Sequence, residues 1–183
     1  TGMVLGDLEG VVVDDDQAVL KGSWTVGTGL PNYVQYGYRY GSPNSDSSAS
    51  YSLTAKKAGR YAIEIFTQSH ENRSTMTPVF VVQAGKSVKY SVNQRQPPVD
   101  GVARVTEVEL AENESLRVRI ETKGADGTVH IDAVRLRFHH PLDSCDLAFD
   151  APKARHHLVF LLTREHISSS SVLPHCTPLQ RPG

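Results

Sequence analysis

An aromatic-rich stretch of the sequence offers a first candidate site, one that would bind sugar rings. Tyr36, Tyr38 and Tyr40 occupy alternate positions and would share one face of a β-strand, and the lone Trp24 precedes them. Aromatic faces are apolar and weakly negative, so they stack on the C–H faces of pyranose rings. Tyrosines are also favoured in strands for their packing alone. The residues by themselves favour that second role, with the sugar platform as the alternative.

A second candidate site consists of side chains that carry amide or guanidinium groups. Asn72 and Arg73 fall on one connection between expected strands, and Asn93 and Gln94 fall on the next. Their planar groups form hydrogen bonds in fixed directions, which suits the recognition of sugar hydroxyls. The alternative is structural: the asparagines satisfy loop backbone, and Arg73 bridges two strands. For Arg73 the structural role is the stronger hypothesis.

The run Asp14, Asp15 and Asp16 is a third candidate, for a structural calcium ion. Calcium is a hard cation that requires several oxygen ligands converging from loops. The sequence assigns no partner ligands elsewhere in the chain, and a strand-end cluster that accepts hydrogen bonds from loop amides explains the run as well. An ion pair of Asp15 or Asp16 with Arg73 or Arg135 is a further alternative. The structural explanation is favoured, and no other cofactor is expected.

The sequence carries none of the common motifs of catalysis. The nucleophile elbow, the phosphate loop, the dinucleotide fingerprint and the His-Glu-x-x-His motif do not occur. The formal net charge is −1, from 19 basic and 20 acidic residues, so neither a nucleic acid nor an anionic membrane is an expected partner. No apolar run approaches the roughly 20 residues that cross a bilayer. The sequence therefore predicts a binding or structural role and not an enzyme.

Residues 59–96 contain the clearest secondary-structure signal, three β-strands in succession. Tyrosine and isoleucine alternate with alanine and glutamate over residues 61–65, as in a strand with one buried face. The apolar run 78–82 predicts a strand covered on both faces, and residues 84–86 predict a tight hairpin turn into a third strand at 88–92. These strands would position the two polar connections of the second candidate site.

Short alternating segments recur on both sides of that stretch and bring the total to eight or nine strands without a convincing helix. This pattern is typical of an all-β fold, an antiparallel β-sandwich or jelly roll. The last segment, residues 129–138, shows a phase slip: Val129 and Ile131 lie on odd positions, whereas Val134 and Leu136 lie on even ones. One residue of slip is what a β-bulge inserts, so we predict a bulge near Asp132.

The chain divides into three parts on composition and periodicity. Residues 1–9 are an entry linker, and residues 10–138 hold the strands of the sandwich. Residues 139–183 contain six of the eight histidines and both cysteines, without the compact paired spacing of a zinc site. Because periodicity is almost absent from this irregular C-terminal extension, we expect it to be loosely packed or disordered and separate from the sandwich.

An ordered series of short motifs resembles the golvesin C-terminal / xanthan lyase carbohydrate-binding-like domain over about residues 10–138. The motifs are Val12-Val13-Asp14-Asp15, Gly22-Ser23-Trp24, Gly37-Tyr38-Arg39-Tyr40, Gly59-Arg60-Tyr61, Asn72-Arg73-Ser74, Val92-Asn93-Gln94-Arg95-Gln96 and Ile131-Asp132-Ala133-Val134-Arg135. The resemblance implies a jelly-roll sandwich of galactose-binding-like type. It also implies attachment to secreted bacterial polysaccharide lyases, peptidases or esterases, or to FAD-dependent oxidoreductases. Two departures stand out: residues 102–110 contain no aromatic, and Gly127-Thr128 replaces a Gly-Tyr pair.

The resemblance leads to one main functional expectation and two competing ones. The main one is a non-catalytic accessory module of a larger secreted or periplasmic enzyme, whose partner is a polysaccharide or the catalytic domain of the parent chain. The alternative is a structural C-terminal domain of a FAD-dependent oxidoreductase that binds no glycan of its own. A self-sufficient enzyme ranks last, because no motif points to a reaction.

Overall fold

The computed structural model describes residues 2–141, and this part of the protein is almost entirely β-structure. One turn of 3-10 helix, Leu5–Asp7, precedes the first strand, and no helix in this range is long and apolar enough to span a bilayer. Twelve strands follow within residues 2–141: β1 Val11–Val13, β2 Val19–Lys21, β3 Thr25–Gly27, β4 Tyr38–Gly41, β5 Ser48–Thr54, β6 Gly59–Phe66, β7 Thr77–Gln83, β8 Lys86–Val92, β9 Val102–Leu110, β10 Ser115–Glu121, β11 Val129–Ile131 and β12 Val134–His140. Apart from its first positions, the expected tail at 139–183 lies outside the described residues.

The strands form three sheets whose ladders are all antiparallel. The four-stranded sheet has the order β1-β12-β6-β9, the five-stranded sheet β2-β5-β10-β7-β8, and a small sheet β11-β4-β3. The two larger sheets supply one shared hydrophobic core, because their inward side chains form a single cluster of buried residues. The architecture is therefore the expected all-β sandwich of jelly-roll type.

Alternating side chains meet in that core as the sequence pattern predicts. Tyr61 and Ile63 of β6 are buried against Val118 and Ile120 of β10, and each is at most 3% exposed. Burial of one such aliphatic side chain contributes about 1.5–3 kcal/mol to folding, before the loss of chain entropy. Two layers of these side chains hold the sheets together, so the outer faces of the sheets are free to carry polar groups.

The three central strands are confirmed as β6, β7 and β8, with one correction. Ala84 and Gly85 both have positive φ, at 47° and 76°, which is the geometry of a two-residue hairpin turn. The expectation that residues 78–82 are covered on both faces is wrong for Phe80 and Val82, although Pro78 is buried. Val79 and Val81 point into the core, but Phe80 and Val82 lie half-buried on the outer face. Arg119 and Lys89 cover the Phe80 ring with their cationic groups at 4.8 and 5.9 Å from its centroid.

The aromatic stretch is shorter as a strand than its alternation indicates. β4 begins only at Tyr38, because Gln35 adopts a positive φ of 54° and turns the chain just before it. Tyr36 therefore lies in a loop and is 82% exposed, instead of sharing a strand face with Tyr38 and Tyr40. The expectation of three tyrosines on one strand face is wrong for Tyr36.

The phase slip in the last segment is a change of sheet and not a bulge at Asp132. β11 pairs with β4 in the small sheet, whereas β12 pairs with β6 and β1 in the four-stranded sheet. The chain leaves one ladder at Ile131 and enters the next at Val134, so both odd and even apolar residues become buried. The Asp132 side chain lies at this junction and is itself buried.

Candidate functional site

A groove of about 720 Å³ lies over the outer face of the four-stranded sheet. Its floor consists of polar side chains from β6, β9 and β12: Glu64, Arg104, Arg135 and Arg137. These residues alternate with core residues such as Ile63, Ile65 and Leu136, so the strand period places them on the opposite face. The groove and the core thus lie on opposite faces of the same strands.

The register of the sheet brings a row of charges together on this floor. Arg135 of β12 and Arg104 of β9 both lie opposite Glu64 of β6. A register shift in the β6–β9 ladder follows the pair Ile63 and Thr106, and it places Arg104 opposite Glu64 where regular pairing would place Val105. Bulges of this kind redirect a side chain to the other face, and here the redirected residue is an arginine.

Glu64 is the centre of the floor. Its carboxylate is only 3% exposed and accepts hydrogen bonds from Arg135 Nε at 2.8 Å and from Arg137 Nη2 at 2.9 Å. Arg104 Nη2 lies 3.7 Å from the same Oε1 atom. Burial of Glu64 favours its protonated form, but the hydrogen bonds from Arg137 and Arg135 outweigh burial and lower its pKa. The groove floor is therefore a fixed, ionised cluster.

The connection between β8 and β9 forms one wall of the groove. Asn93, Gln96, Pro97, Pro98, Val99 and Asp100 line the groove from this connection. β8 ends at Val92, and the two prolines later in the connection lack N–H groups and so cannot extend a ladder; Asp100 at φ 52° begins the turn into β9. Asn93 accepts a hydrogen bond from the Arg95 backbone N–H at 3.0 Å, which fixes the start of the wall.

Gln94 anchors this wall to the small sheet. It is fully buried, its Nε2 donates to the His130 carbonyl at 2.7 Å, and its Oε1 accepts from the His130 N–H at 2.9 Å. β11 is the edge strand of the small sheet, so these two backbone groups have no ladder partner. The Gln94 amide takes the place of a neighbouring strand. This side chain holds the loop instead of facing solvent.

Four of the expected sugar-binding residues meet at a separate centre. The Arg73 guanidinium lies 5.9 Å from the Tyr38 ring centroid and 5.8 Å from that of Tyr40, and its Nη1 is 3.5 Å from Asn72 Oδ1. Arg73 and Tyr38 are each only 5% exposed. Burial lowers the pKa of Arg73, and the Tyr38 and Tyr40 hydroxyls oppose that shift. The cation–π contacts explain how a buried arginine is accommodated.

A buried histidine completes this aromatic centre. The His130 ring lies 4.7 Å from the Tyr38 ring, and neither ring nitrogen has a hydrogen-bond partner among the described residues. Burial, with the nearby Arg73 charge, lowers the pKa of His130 to about 3, so the ring is neutral. A neutral ring is compatible with a position beside a cation, which a protonated histidine would not be.

Of the remaining aromatic candidates, Tyr36 shares a small pocket with Tyr38, whereas Trp24 packs against the core. Trp24 is half-buried against the core, and its Nε1 donates to the Lys21 carbonyl at 3.1 Å. A Cβ at Gly41 would come within 3.1 Å of the Trp24 ring, so glycine permits this packing. Tyr36 is exposed and lines a small pocket of about 80 Å³ beside the aspartate run. The structure therefore does not gather the aromatic residues into a single platform.

The aspartate run ends β1 as expected, with Asp14 and Asp15 buried and Asp16 exposed. Asp14 Oδ2 accepts a hydrogen bond from Gln35 Nε2 at 3.1 Å, and Asp15 forms an ion pair with Arg39 at 2.8 Å. Arg39 is thus the partner, in place of the expected Arg73 or Arg135. Within residues 2–141 no group of three or more histidine, cysteine or acidic side chains is arranged to hold a metal ion.

Buried carboxyls near this run are poorly solvated. Burial and the neighbouring charges of Asp15 and Asp16 raise the pKa of Asp14 to about 7. Burial raises the pKa of Asp132 to about 8, although its oxygens accept from the Val34 N–H at 3.2 Å and from Gln68 at 3.3 Å. Both side chains make loop contacts, so the raised pKa values of Asp14 and Asp132 make the stability of the fold depend on pH.

Sequence reasoning finds Asn93 of the groove but misses its floor. Glu64, Arg135 and Arg137 look like the solvated face of two strands in the sequence, since each stands alone between apolar neighbours. The signal that identifies them is cross-strand: an acid on β6 and arginines on both adjacent strands. That signal requires the pairing of strands about 40–70 residues apart, which the sequence alone does not give.

Comparison with known proteins agrees with the fold and with the motifs. The family model described as Golvesin C-terminal domain matches residues 11–138. The chain is similar to a Paenibacillus xanthan lyase structure, with a TM-score of 0.63 and 22% identity over 72% of this chain and 13% of that one. It is also similar to a family 35 carbohydrate-binding module from Clostridium thermocellum, with a TM-score of 0.52 and 13% identity over 72% of this chain and 100% of the module.

A third similar structure is the Podospora anserina GH26-CBM35 β-(1,4)-mannanase, with a TM-score of 0.51 and 16% identity over 75% of this chain and 29% of that one. No curated protein gives a match. At such identities the likeness to solved structures is one of fold, and the chain spans only 13% of the xanthan lyase. The family match covers most of the chain, and it includes every strand of the sandwich except the last two residues of β12. The chain belongs to the golvesin C-terminal domain family.

Proposed function

We propose that this domain is a non-catalytic accessory module that binds polysaccharide for a larger secreted or periplasmic enzyme, with the groove over the four-stranded sheet as its binding surface. The observation that supports this proposal is the groove itself, about 720 Å³ in volume and lined by guanidinium and amide groups. Clefts of this size suit several sugar units, and fixed planar polar groups give direction to hydrogen bonds with hydroxyls.

The groove offers a sugar ring both polar and apolar contacts. Arg104 and Asn93 provide hydrogen-bond donors and an amide along the floor and wall, and Pro97, Pro98 and Val99 form an apolar lip. The family 35 module shares this fold and is described as carbohydrate-binding, and the chain is also similar to 29% of a GH26-CBM35 mannanase, which is consistent with a glycan ligand here.

The same lip also suits a second function, the docking of a parent enzyme domain such as a flavin oxidoreductase core. Val99 is 77% exposed beside the two prolines, and apolar side chains of this kind lose water when a protein surface covers them. In that case the module would be structural and would bind no glycan. The two functions compete for one surface, so a binding experiment separates them.

Affinity gel electrophoresis with a panel of neutral and acidic polysaccharides tests the proposal. We expect retardation of the domain by at least one polymer, and Asn93→Ala together with Arg104→Ala should abolish it. Arg117→Ala is the matched control, because Arg117 is exposed on the five-stranded sheet, away from the groove. No retardation in any gel would refute glycan binding and support the docking role. Turnover of a polysaccharide by this chain alone would refute the non-catalytic assignment.

A further inference from the structure

The floor of the groove carries a cluster of guanidinium groups, whereas its rim carries carboxylates. Three guanidinium groups, those of Arg104, Arg135 and Arg137, lie within 4 Å of one carboxylate, that of Glu64. Glu107 offsets part of this charge, since Arg104 Nη1 lies 3.1 Å from it. Each guanidinium carries five N–H donors and no acceptor, so most donors of the cluster remain available after these contacts.

On the floor itself the exposed groups are guanidinium groups, although Glu107 beside Arg104 is also 37% exposed. The Glu64 side chain is 3% exposed, whereas those of Arg137 and Arg104 are 34% and 43% exposed. A ligand in the groove therefore contacts guanidinium groups and not the buried acid. The two exposed groups lie side by side, because Nη2 of each approaches the same oxygen, Glu64 Oε1, at 2.9 and 3.7 Å. A pair of adjacent guanidinium groups matches the two oxygens of a carboxylate.

We propose that the polysaccharide bound in this groove is acidic, and that the carboxylate of a uronic acid residue binds between Arg104 and Arg137. This inference rests on the proposed glycan-binding function and names the class of its ligand. Glu64 acts as the positioning residue, because its hydrogen bonds hold Arg137 and Arg135 in fixed orientations on the floor. Arg137 is thereby oriented before the ligand arrives, and Arg104 is held beside it by Glu107 at 3.1 Å, which reduces the side-chain entropy lost on binding.

Two carboxylates on the rim limit the strength of this site. Glu9 and Asp100 also line the groove, and both are exposed to solvent. Hydrogen bonds to Glu64 raise the pKa of Arg137, and the charges of Glu9 and Asp100 add to this shift. Their effect on an incoming anion is repulsive and is screened by water and salt. Removal of one rim charge should therefore strengthen the binding of an acidic polymer.

The test compares polymers that differ only in the carboxylate. Polygalacturonate and alginate are each compared with their carboxyl-reduced forms, in which every carboxylate becomes a primary alcohol on the same backbone. Isothermal titration at low and high NaCl gives the affinities. We expect about tenfold or tighter binding of the acidic form, and this preference should weaken as salt rises. Dextran sulfate is included to measure binding that depends on charge alone.

One variant should weaken the preference for the acidic polymer, and another should strengthen it. Arg104→Gln should reduce the preference for the acidic polymer to near unity, and Asp100→Asn should strengthen acidic binding about two- to fivefold. Asn tolerates the positive φ of position 100, so this variant keeps the turn. Arg117→Gln, on the other sheet, should change neither. Circular dichroism confirms that each variant is folded.

The outcomes separate this inference from the proposed function. Equal binding of the acidic and reduced polymers, or of dextran sulfate and polygalacturonate, overturns the uronate inference and leaves glycan binding intact. An acidic preference that Arg104→Gln preserves overturns the assignment of the arginine pair. Failure to bind any polymer, neutral or acidic, overturns the proposed function itself.

Discussion

Gln94 provides a direct test of how the groove wall is held. Replacing it with leucine keeps the approximate side-chain volume but removes both amide hydrogen bonds to His130, at 2.7 and 2.9 Å. The position is 0% exposed, so water does not take over the vacated contacts without local opening. The Gln94 backbone N–H still donates to the Ser74 carbonyl at 2.9 Å, so the change is confined to the side chain.

The expected loss follows from the two backbone groups left unpaired. Each buried, unsatisfied N–H or C=O costs about 1–3 kcal/mol, and the apolar leucine recovers part of this through contacts in the vacated space. We therefore expect Gln94→Leu to lower the free energy of unfolding by about 3 kcal/mol and the Tm by roughly 10 °C. Urea unfolding and calorimetry measure the two quantities, and amide exchange at His130 should accelerate.

A control in the same loop isolates the contribution of the buried amide. Gln96 is exposed and lines the groove, so Gln96→Leu should change the free energy of unfolding by less than about 0.5 kcal/mol. If Gln94→Leu were as stable as the Gln96 variant, the amide would not substitute for a strand neighbour of β11. The account of how the wall is anchored would then be refuted.

Three other predictions concern residues that lie outside the groove. Burial raises the pKa of Asp132 to about 8, so the folded state binds this proton more tightly; its contribution to stability should fall by roughly 1 kcal/mol per pH unit from about pH 4 to 8. Asp132→Asn should remove this contribution to the slope of stability against pH in urea unfolding curves and leave the contribution of Asp14, and an identical slope would contradict the assignment. Tyr36→Ala should leave polysaccharide retardation unchanged, because Tyr36 does not line the groove, and lost retardation would instead locate the ligand at the aromatic loop. If a calcium ion binds at Asp14–Asp16, Asp15 must exchange Arg39 for the ion. Bound Ca²⁺ should then raise the Tm, and Asp15→Asn should abolish the rise. An unchanged Tm in millimolar Ca²⁺ would refute the calcium hypothesis.

The sequence predicts the central hairpins well because their signals are local. Alternation in β6 and the positive-φ turn at Ala84 and Gly85 depend only on residues a few positions apart. The environment of Phe80, in contrast, does not follow from local signals. An apolar run looks the same whether a second layer of protein covers its outer face or two cationic side chains do, as Arg119 and Lys89 do here.

The junction at Asp132 shows why a correct observation led to a wrong interpretation. A one-residue slip inverts the face on which side chains lie, and both a bulge and a change of sheet produce it. Only the pairing partners distinguish the two, and those partners, Arg39 to Gly41 for β11 and Ile63 to Ile65 for β12, lie far away in the chain. The buried Asp132 accordingly lies where the chain passes from one sheet to the other.

The groove floor depends on the same long-range information. Glu64 lies between Ile63 and Ile65, so any change of register that moved it by one residue would place its charge in the core and expel an isoleucine. The core therefore fixes the register of the strands, and the side chains on the outer face keep their positions without a ligand. The arginines opposite Glu64 are then held in place by strands whose stability comes from the other side of the sheet. A site built in this way keeps its geometry when Arg104 is replaced, so loss of binding in Arg104 variants reports on the ligand and not on the fold.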